Sequence, residues 1–106
     1  MKKIYLFCSA GMSTSMLASK MQGVADAHNV PVKVAAHPHN KIGEIIATDR
    51  PDCILLGPQV KYMYDETVAQ YGKENIPIAD IDAAAYGMMD GEKVLKTAIK
   101  LIKENK

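Results

Sequence analysis

The sequence predicts an α/β fold: an open four-stranded parallel sheet with helices on both faces. Along the 106 residues, four short apolar runs alternate with longer segments whose apolar residues repeat at helical spacing. Such alternation favours a parallel sheet joined by right-handed crossovers. A composition of 48% hydrophobic and 24% charged residues suits a folded protein, and the length suits one domain over residues 1–106.

Each predicted strand is a short apolar run, and the four runs are residues 4–7, 30–36, 53–56 and 76–79. The first run ends at Cys8. The second has Pro31 near its start, where a missing N–H is tolerated, and the fourth contains Pro77, which favours an edge position. Amphipathic spacing predicts helices over residues 13–28, 42–46, 59–71 and 90–104. Gly72 is a natural end for the third of these helices.

Charge and composition disfavour several classes of function. The formal net charge is +1, from 13 basic and 12 acidic residues, with Arg50 the only arginine and no tryptophan. A nucleic-acid-binding protein generally carries a basic patch, so this class is disfavoured. No run of about 18 apolar residues is present, and the apolar stretch at residues 4–7 is too short for a signal peptide. We therefore expect a cytoplasmic protein that is not inserted in a membrane.

The cysteines and histidines do not form a recognisable metal or disulfide pattern. Cys8 and Cys53 lack C-x-x-C spacing, so each is expected to remain a thiol in a reducing compartment. Cys53 opens an apolar strand with no polar loop after it, which predicts a residue packed in the core. His37 and His39 have no cysteine nearby, and we interpret them as surface residues rather than metal ligands. The sequence indicates neither a metal site nor a cofactor.

The segment after the first strand has the composition of a phosphatase-like P-loop. Cys8 is its first residue, and the predicted phosphate-binding residues are Ser9, Ala10, Gly11, Met12, Ser13, Thr14 and Ser15. Because the segment leads from a strand into a helix, its backbone N–H groups and the helix N-terminus can bind an anion. Small residues allow the backbone to approach closely, and Gly11 tolerates a positive φ. The thiolate of Cys8 is favoured at such a position, which predicts a nucleophile.

Two residue types that are absent from this loop narrow its chemistry. The loop has no lysine, so it is not a nucleotide-binding Walker A loop. Cysteine-dependent phosphatases have an arginine where this chain has Thr14, so a bidentate contact to the transition state is missing. No acid or base that would discharge a thiophosphate to water is evident. The loop is therefore interpreted as a phosphoryl carrier in which Cys8 holds the group until an acceptor arrives.

Three motifs resemble one known family. Residues 4–15, residues 55–59 and Tyr86 with Gly87 are similar to IIB proteins of the phosphoenolpyruvate-dependent sugar phosphotransferase system, lactose/cellobiose class. The resemblance implies a four-stranded parallel sheet and a phosphocysteine at Cys8. It also implies a IIA partner that donates from a phosphohistidine, and a membrane IIC component that presents the sugar. Cellobiose or a related β-disaccharide is the expected sugar, and a monomer is the expected state.

Three other functions stay open at this point. A small cysteine-dependent phosphatase would use the same loop and hydrolyse the intermediate. A redox protein would use Cys8 as a sensor thiol, with a disulfide to Cys53 as its signature. A non-catalytic binding module would never be phosphorylated. Met12, at an expected exposed loop tip, is a further candidate for partner contact, and the turn Gly57-Pro58-Gln59 is a candidate either for support of the Cys8 loop or for partner contact.

Overall fold

The sheet consists of parallel strands that all end at the same edge. The fold is that of a computed structural model, which describes residues 2–8, 11–72 and 75–104. The strands are β1 (Lys2–Cys8), β2 (Val32–Pro38), β3 (Cys53–Leu56) and β4 (Ile78–Asp80). Their order in the sheet is β2-β1-β3-β4, and every neighbouring pair is parallel. The predicted open four-stranded parallel sheet is confirmed, with β4 at an edge as Pro77 indicated.

Helices connect the strands and cover both faces of the sheet. They are α1 (Gly11–Ala27), α2 (Ile42–Thr48), α3 (Tyr64–Tyr71), α4 (Ala83–Gly87) and α5 (Gly91–Glu104). Two short 3-10 segments, His39–Lys41 and Pro58–Met63, precede α2 and α3. In the described part of the chain, none of the helices combines the length and the apolar character needed to cross a bilayer.

The alternation of side chains along β1 divides the interior into two cores. Ile4 and Leu6 are fully buried on one face, in a cluster that contains residues of α1, α4 and α5. Tyr5 and Phe7 are buried on the other face, against α2, α3 and the 58–63 segment. Because successive residues of a strand point to opposite faces, a strand that is covered on both sides must be apolar throughout. This explains the uninterrupted apolar run that precedes Cys8.

The helix predicted over residues 59–71 is divided in the structure. Val60 has non-helical backbone angles, φ −118° and ψ 18°, and only residues 64–71 form the α-helix α3. The Val60 side chain is almost fully buried, and its N–H donates to the Gly57 carbonyl at 3.0 Å. The chain thus leaves regular helical geometry where Val60 enters the core. Gly72 has φ −59°, so it ends α3 without the left-handed conformation that favours glycine at helix ends.

The region around β4 also differs from the prediction. β4 lies at Ile78–Asp80 rather than at residues 76–79, because Pro77 has no N–H and contributes only its carbonyl, which accepts from Ile54 N–H at 2.9 Å. The short helix α4 was not predicted. Its cap is Asp82, whose carboxylate accepts from Ala85 N–H at 3.0 Å. An aspartate followed by three alanines is a recognisable helix start, so the sequence did contain the signal.

Candidate active site

Cys8 is the last residue of a central strand, at the edge of the sheet where parallel strands end together. It is aligned with Pro38 on β2, and the preceding residue Phe7 is aligned with Leu56 on β3. Gly57 N–H donates to the Phe7 carbonyl at 2.8 Å, so the turn after β3 is attached to the backbone next to Cys8. In open parallel sheets, ligands bind at this carboxyl edge. Cys8 itself is fully buried in the structure.

Of the predicted phosphate-binding residues, the structure describes the backbone of residues 11–15 only. Ser9 and Ala10 lie outside the described residues, and residues 11–15 form the first turns of α1, which begins slightly earlier than the predicted start near residue 13. Ser15 is exposed, whereas the side chain of Met12 lies outside the described part. No acidic residue occurs in the first turn of α1. The N-terminus of α1, which begins after two intervening residues from Cys8, therefore has a partial positive charge that no acidic residue of its own first turn offsets.

Thr14, one of the predicted phosphate-binding residues, lies in the first turns of α1 and contacts a distant tyrosine. It is fully buried, and its hydroxyl lies 3.1 Å from the Tyr86 hydroxyl, within hydrogen-bonding distance. Tyr86 belongs to α4, and its ring is part of the core on the α1 face. The position that is arginine in cysteine-dependent phosphatases is thus occupied by a buried neutral hydroxyl pair. Such a pair can fix the first turns of α1, but it supplies no charge to a transition state.

His37 lies at the same edge, in contact with the strand that carries Cys8. Its ring centroid is 4.8 Å from that of Tyr5 and 5.8 Å from that of Phe7. Its Nε2 atom is buried and makes no hydrogen bond among the described residues. Burial lowers the pKa of His37 below its usual value, an effect opposed by Asp49 and reinforced by Lys33. His37 is thus half-buried: part of its surface is accessible, while its ring packs beside two aromatic side chains.

His39 is also partly buried, but its contacts are different. Its Nε2 lies 3.2 Å from Thr67 Oγ1, and the Thr67 hydroxyl donates to the Met63 carbonyl. With the Thr67 hydroxyl proton directed to Met63, the contact with His39 is one in which Nε2 donates to Thr67. Burial lowers the pKa of His39, while Glu66 opposes the shift. Among the described residues, no group of three or more His, Cys, Asp or Glu side chains could hold a metal ion.

Cys53 occupies a different end of the sheet from Cys8. It is fully buried, which confirms the prediction that it packs in the core, and burial, followed by the charge of Asp52, raises its pKa to about 12. Cys53 is aligned with Ile4, four residues before Cys8 on the neighbouring strand. At about 3.3 Å per residue this offset amounts to roughly 13 Å. A disulfide requires Cα atoms within about 7 Å, so the fold does not permit the Cys8–Cys53 bond of the redox hypothesis.

Among the described residues, four large apolar side chains are exposed, and three of them, on segments that come after the ends of different strands, have more than half of their surface accessible. They are Met16 in α1, Tyr62 after β3 and Met88 after α4, with 54%, 81% and 79% of their surface accessible. Such residues are enriched in protein–protein interfaces. The sequence analysis indicated none of these three residues for this role, because local composition does not reveal which side chains of a helix or a 3-10 segment are exposed.

Comparisons with known proteins agree on one family. Residues 3–97 match the family model described as "PTS system, Lactose/Cellobiose specific IIB subunit". The chain is 39% identical over 104 residues to the PTS system cellobiose-specific EIIB component of Lactococcus lactis subsp. lactis (strain IL1403), covering 95% of this chain and 96% of that protein. It is 37% identical over 102 residues to the PTS system oligo-beta-mannoside-specific EIIB component of Bacillus subtilis (strain 168), covering 96% and 97%.

A solved structure of similar sequence has the same fold. The solution structure of the cellobiose-specific phosphotransferase IIB component protein from Borrelia burgdorferi superposes with a TM-score of 0.81 at 35% sequence identity. The superposition covers 98% of this chain and 94% of that one.

Proposed function

This chain belongs to the lactose/cellobiose-specific IIB subunit family of the phosphotransferase system, and from that premise we propose that Cys8 is its phosphoryl-carrying residue. Components of this family take part in sugar phosphotransfer. In the proposed cycle, a IIA protein donates the phosphoryl group from a phosphohistidine, and a membrane IIC component presents the sugar that finally receives it. The chain acts in the cytoplasm as one domain over residues 1–106, and as a monomer.

Each transfer is a substitution at phosphorus. The Cys8 thiolate attacks the phosphorus atom of the donor, an S–P bond forms, and the N–P bond breaks with its electron pair returning to the imidazole. In the second step a sugar hydroxyl oxygen attacks, the S–P bond breaks and the thiolate is regenerated, while the hydroxyl proton passes to solvent. Positioning and main-chain dipoles carry most of the catalysis in such transfers.

The observation that carries this proposal is the placement of Cys8 relative to α1. The thiol ends the central strand β1, and a helix whose first turn has no acidic residue begins after only two intervening residues. Backbone N–H groups at a helix N-terminus bind the oxygens of a phosphoryl group and favour a neighbouring thiolate. We assign the phosphate contacts to residues 9–15, mainly through their backbone N–H groups.

The burial of Cys8 adds a requirement to the mechanism. Its side chain has no accessible surface in the structure, so the group that covers Sγ must move aside before a donor phosphorus can approach in line. We propose that a partner contacts exposed side chains such as Met16, Tyr62 and Met88, and that its docking uncovers the thiol. Because a carrier exchanges partners quickly, such an interface would be small.

The sugar is proposed at the level of a class. The similar proteins from Lactococcus lactis and Bacillus subtilis are specific for cellobiose and for oligo-β-mannosides, which are both β-linked. We therefore propose that the group passes to cellobiose or a related β-linked disaccharide, with discrimination made mainly by the membrane component that binds it.

Intact mass spectrometry tests the proposal. The protein is incubated with phosphoenolpyruvate and the upstream carriers, and we expect the addition of one phosphate per chain. The addition is lost in Cys8→Ser and retained in Cys53→Ala, the matched control for the other thiol. A phosphate that persists in Cys8→Ser would contradict the proposal. Rapid turnover of an aryl phosphate that depends on Cys8 would instead favour the phosphatase hypothesis.

A further inference from the structure

The outer edge of β2 is closed by a side chain rather than by a strand. β2 pairs with β1 on one side only, and no other described strand lies beyond it. An edge strand presents unpaired N–H and C=O groups that can pair with another chain. Gln22, on α1, covers part of this edge: its Oε1 accepts from Val34 N–H at 2.8 Å and its Nε2 donates to the Val32 carbonyl at 3.0 Å.

The register shows that these two groups point away from the sheet. Lys2 N–H donates to the Pro31 carbonyl, so Pro31 and every second residue after it face β1. Val32, Val34 and Ala36 consequently direct their backbone groups outward. In a parallel ladder, one residue of a neighbouring strand bonds to the carbonyl of residue i−1 and to the N–H of residue i+1. The Gln22 amide makes this pair of contacts around Lys33, so it imitates one residue of a parallel strand.

The position of the amide is fixed on both sides. The second N–H of Gln22 donates to Asp26 Oδ1 at 3.1 Å, one turn further along α1. At the other end of the edge, Pro38 occupies the next outward position and has no N–H to offer. Between these two ends, Ala36 remains the outward residue without a strand neighbour in the described structure.

The uncovered strand would be well suited to pair with itself. In an antiparallel pair centred on Val34, the outward groups of two copies satisfy one another, because such an interface uses the same patch twice. The side chains offer little resistance: β2 is Val-Lys-Val-Ala-Ala-His-Pro, and its one lysine would face an alanine rather than another lysine. The usual protection of edges by charged residues is therefore weak here.

We propose that Gln22 is a strand surrogate, whose side-chain amide closes the edge of β2 against pairing with β2 of a second copy of this chain. The amide occupies the Val32 carbonyl and the Val34 N–H, two groups that such pairing requires. Removing the amide while keeping α1 intact exposes both groups. A β2 strand of a second copy can then pair with this edge in the antiparallel direction.

The test compares Gln22→Met and Gln22→Ala with the parent protein and with Gln70→Ala. Methionine keeps the length and the helix propensity of glutamine, so that variant folds even if the alanine variant does not. Gln70 is an exposed glutamine on α3, which makes Gln70→Ala the matched control. Sedimentation velocity is measured from micromolar to millimolar concentration. We expect the average mass to rise towards the dimer in both Gln22 variants, with no change from the parent in Gln70→Ala.

Hydrogen exchange of single amides identifies the surface involved. In dilute Gln22→Met, we expect the Val34 amide to exchange about tenfold faster, the equivalent of one lost hydrogen bond. As the concentration rises, the Val34 and Ala36 amides should become protected together. Faster exchange of Val34 without any dependence on concentration would reduce Gln22 to a local contact and overturn the proposal. Unchanged exchange and unchanged mass in both variants would overturn it as well.

Discussion

The two cysteines lie at opposite ends of neighbouring strands and lead into different kinds of structure. Cys8 ends β1, whereas Cys53 begins β3, and both side chains are fully buried. After Cys53 the chain continues as an apolar strand within the core. After Cys8 it turns into the N-terminus of α1 within a few residues. Burial is therefore common to both thiols, and the main chain beyond the sulfur distinguishes them.

This contrast supports the proposal that the fold holds an inert thiol at Cys53 and a reactive thiol at Cys8. For Cys53, loss of water and the neighbouring charge of Asp52 both oppose the thiolate, which raises its pKa to about 12. The chain after Cys8 instead enters the N-terminus of α1, whose first turn contains no carboxylate. The same carboxyl edge also collects Thr14, Tyr86 and His37, so variants at this edge should change function more than variants near Cys53.

The largest difference is expected in sugar phosphorylation. In a reconstituted system with the upstream carriers and vesicles that contain the membrane component, Cys8→Ser should reduce the rate to background because the nucleophile is lost. Cys53→Ala should stay close to the parent rate, while its free energy of unfolding falls by about 1 to 2 kcal/mol through lost packing. Equal losses of rate in the two variants would contradict the claim that only the thiol of Cys8 takes part in phosphoryl transfer.

Alkylation by iodoacetamide gives a second test of the contrast. At neutral pH, a pKa of about 12 leaves the Cys53 thiolate about a thousandfold scarcer than that of an ordinary thiol. We expect labelling of the folded protein to occur on Cys8 first, during transient openings of the group that covers its Sγ, and Cys53 to react only after urea is added. Peptide mapping by mass spectrometry distinguishes the two sites. Labelling of both thiols at equal rates in the folded protein would contradict the contrast.

The hydroxyl pair of Thr14 and Tyr86 is expected to have a smaller effect. Tyr86→Phe deprives the buried Thr14 hydroxyl of this partner, which should cost about 1 to 2 kcal/mol of unfolding free energy. Phosphoryl acceptance should slow in parallel, because the first turns of α1 are held less firmly. Thr14→Val combined with Tyr86→Phe should cost less than the sum of the single variants, as urea titrations would show. Additive losses would mean that the two hydroxyls do not interact.

The smallest effect concerns the pH dependence of stability. Because the folded-state pKa of His37 is lowered, the unfolded chain binds more protons as the pH falls below about 6.5, the ordinary value for histidine. The stabilisation present at higher pH is thus lost progressively below that point. His37→Phe should flatten this slope in urea titrations between pH 7 and about 5. Part of the slope should remain, since the pKa of His39 is lowered too. An unchanged slope in His37→Phe would contradict the attribution of this pH dependence to the lowered pKa of His37.

Local patterns predicted the framework of the fold but not its cross-chain contacts. The apolar run that ends at Cys8 identified the central strand, because a strand buried on both faces must be apolar. The contact of Thr14 with Tyr86 joins residues 72 positions apart, and only the topology brings them together. The burial of His37 beside Tyr5, and the strand-like contacts of Gln22, depend in the same way on register. Residues 9 and 10 lie outside the described structure, so the phosphate contacts of that part of the loop remain a prediction.

Tandem mass spectrometry of the phosphorylated protein tests the central claim most directly, because it identifies the residue that carries the group. After phosphorylation by the upstream carriers and digestion at a pH that preserves phosphothiols, we predict the phosphate on the peptide that contains Cys8, bonded to its sulfur. Phosphate found instead on His37, on His39 or on a serine of the loop, with Cys8 unmodified, would contradict the account.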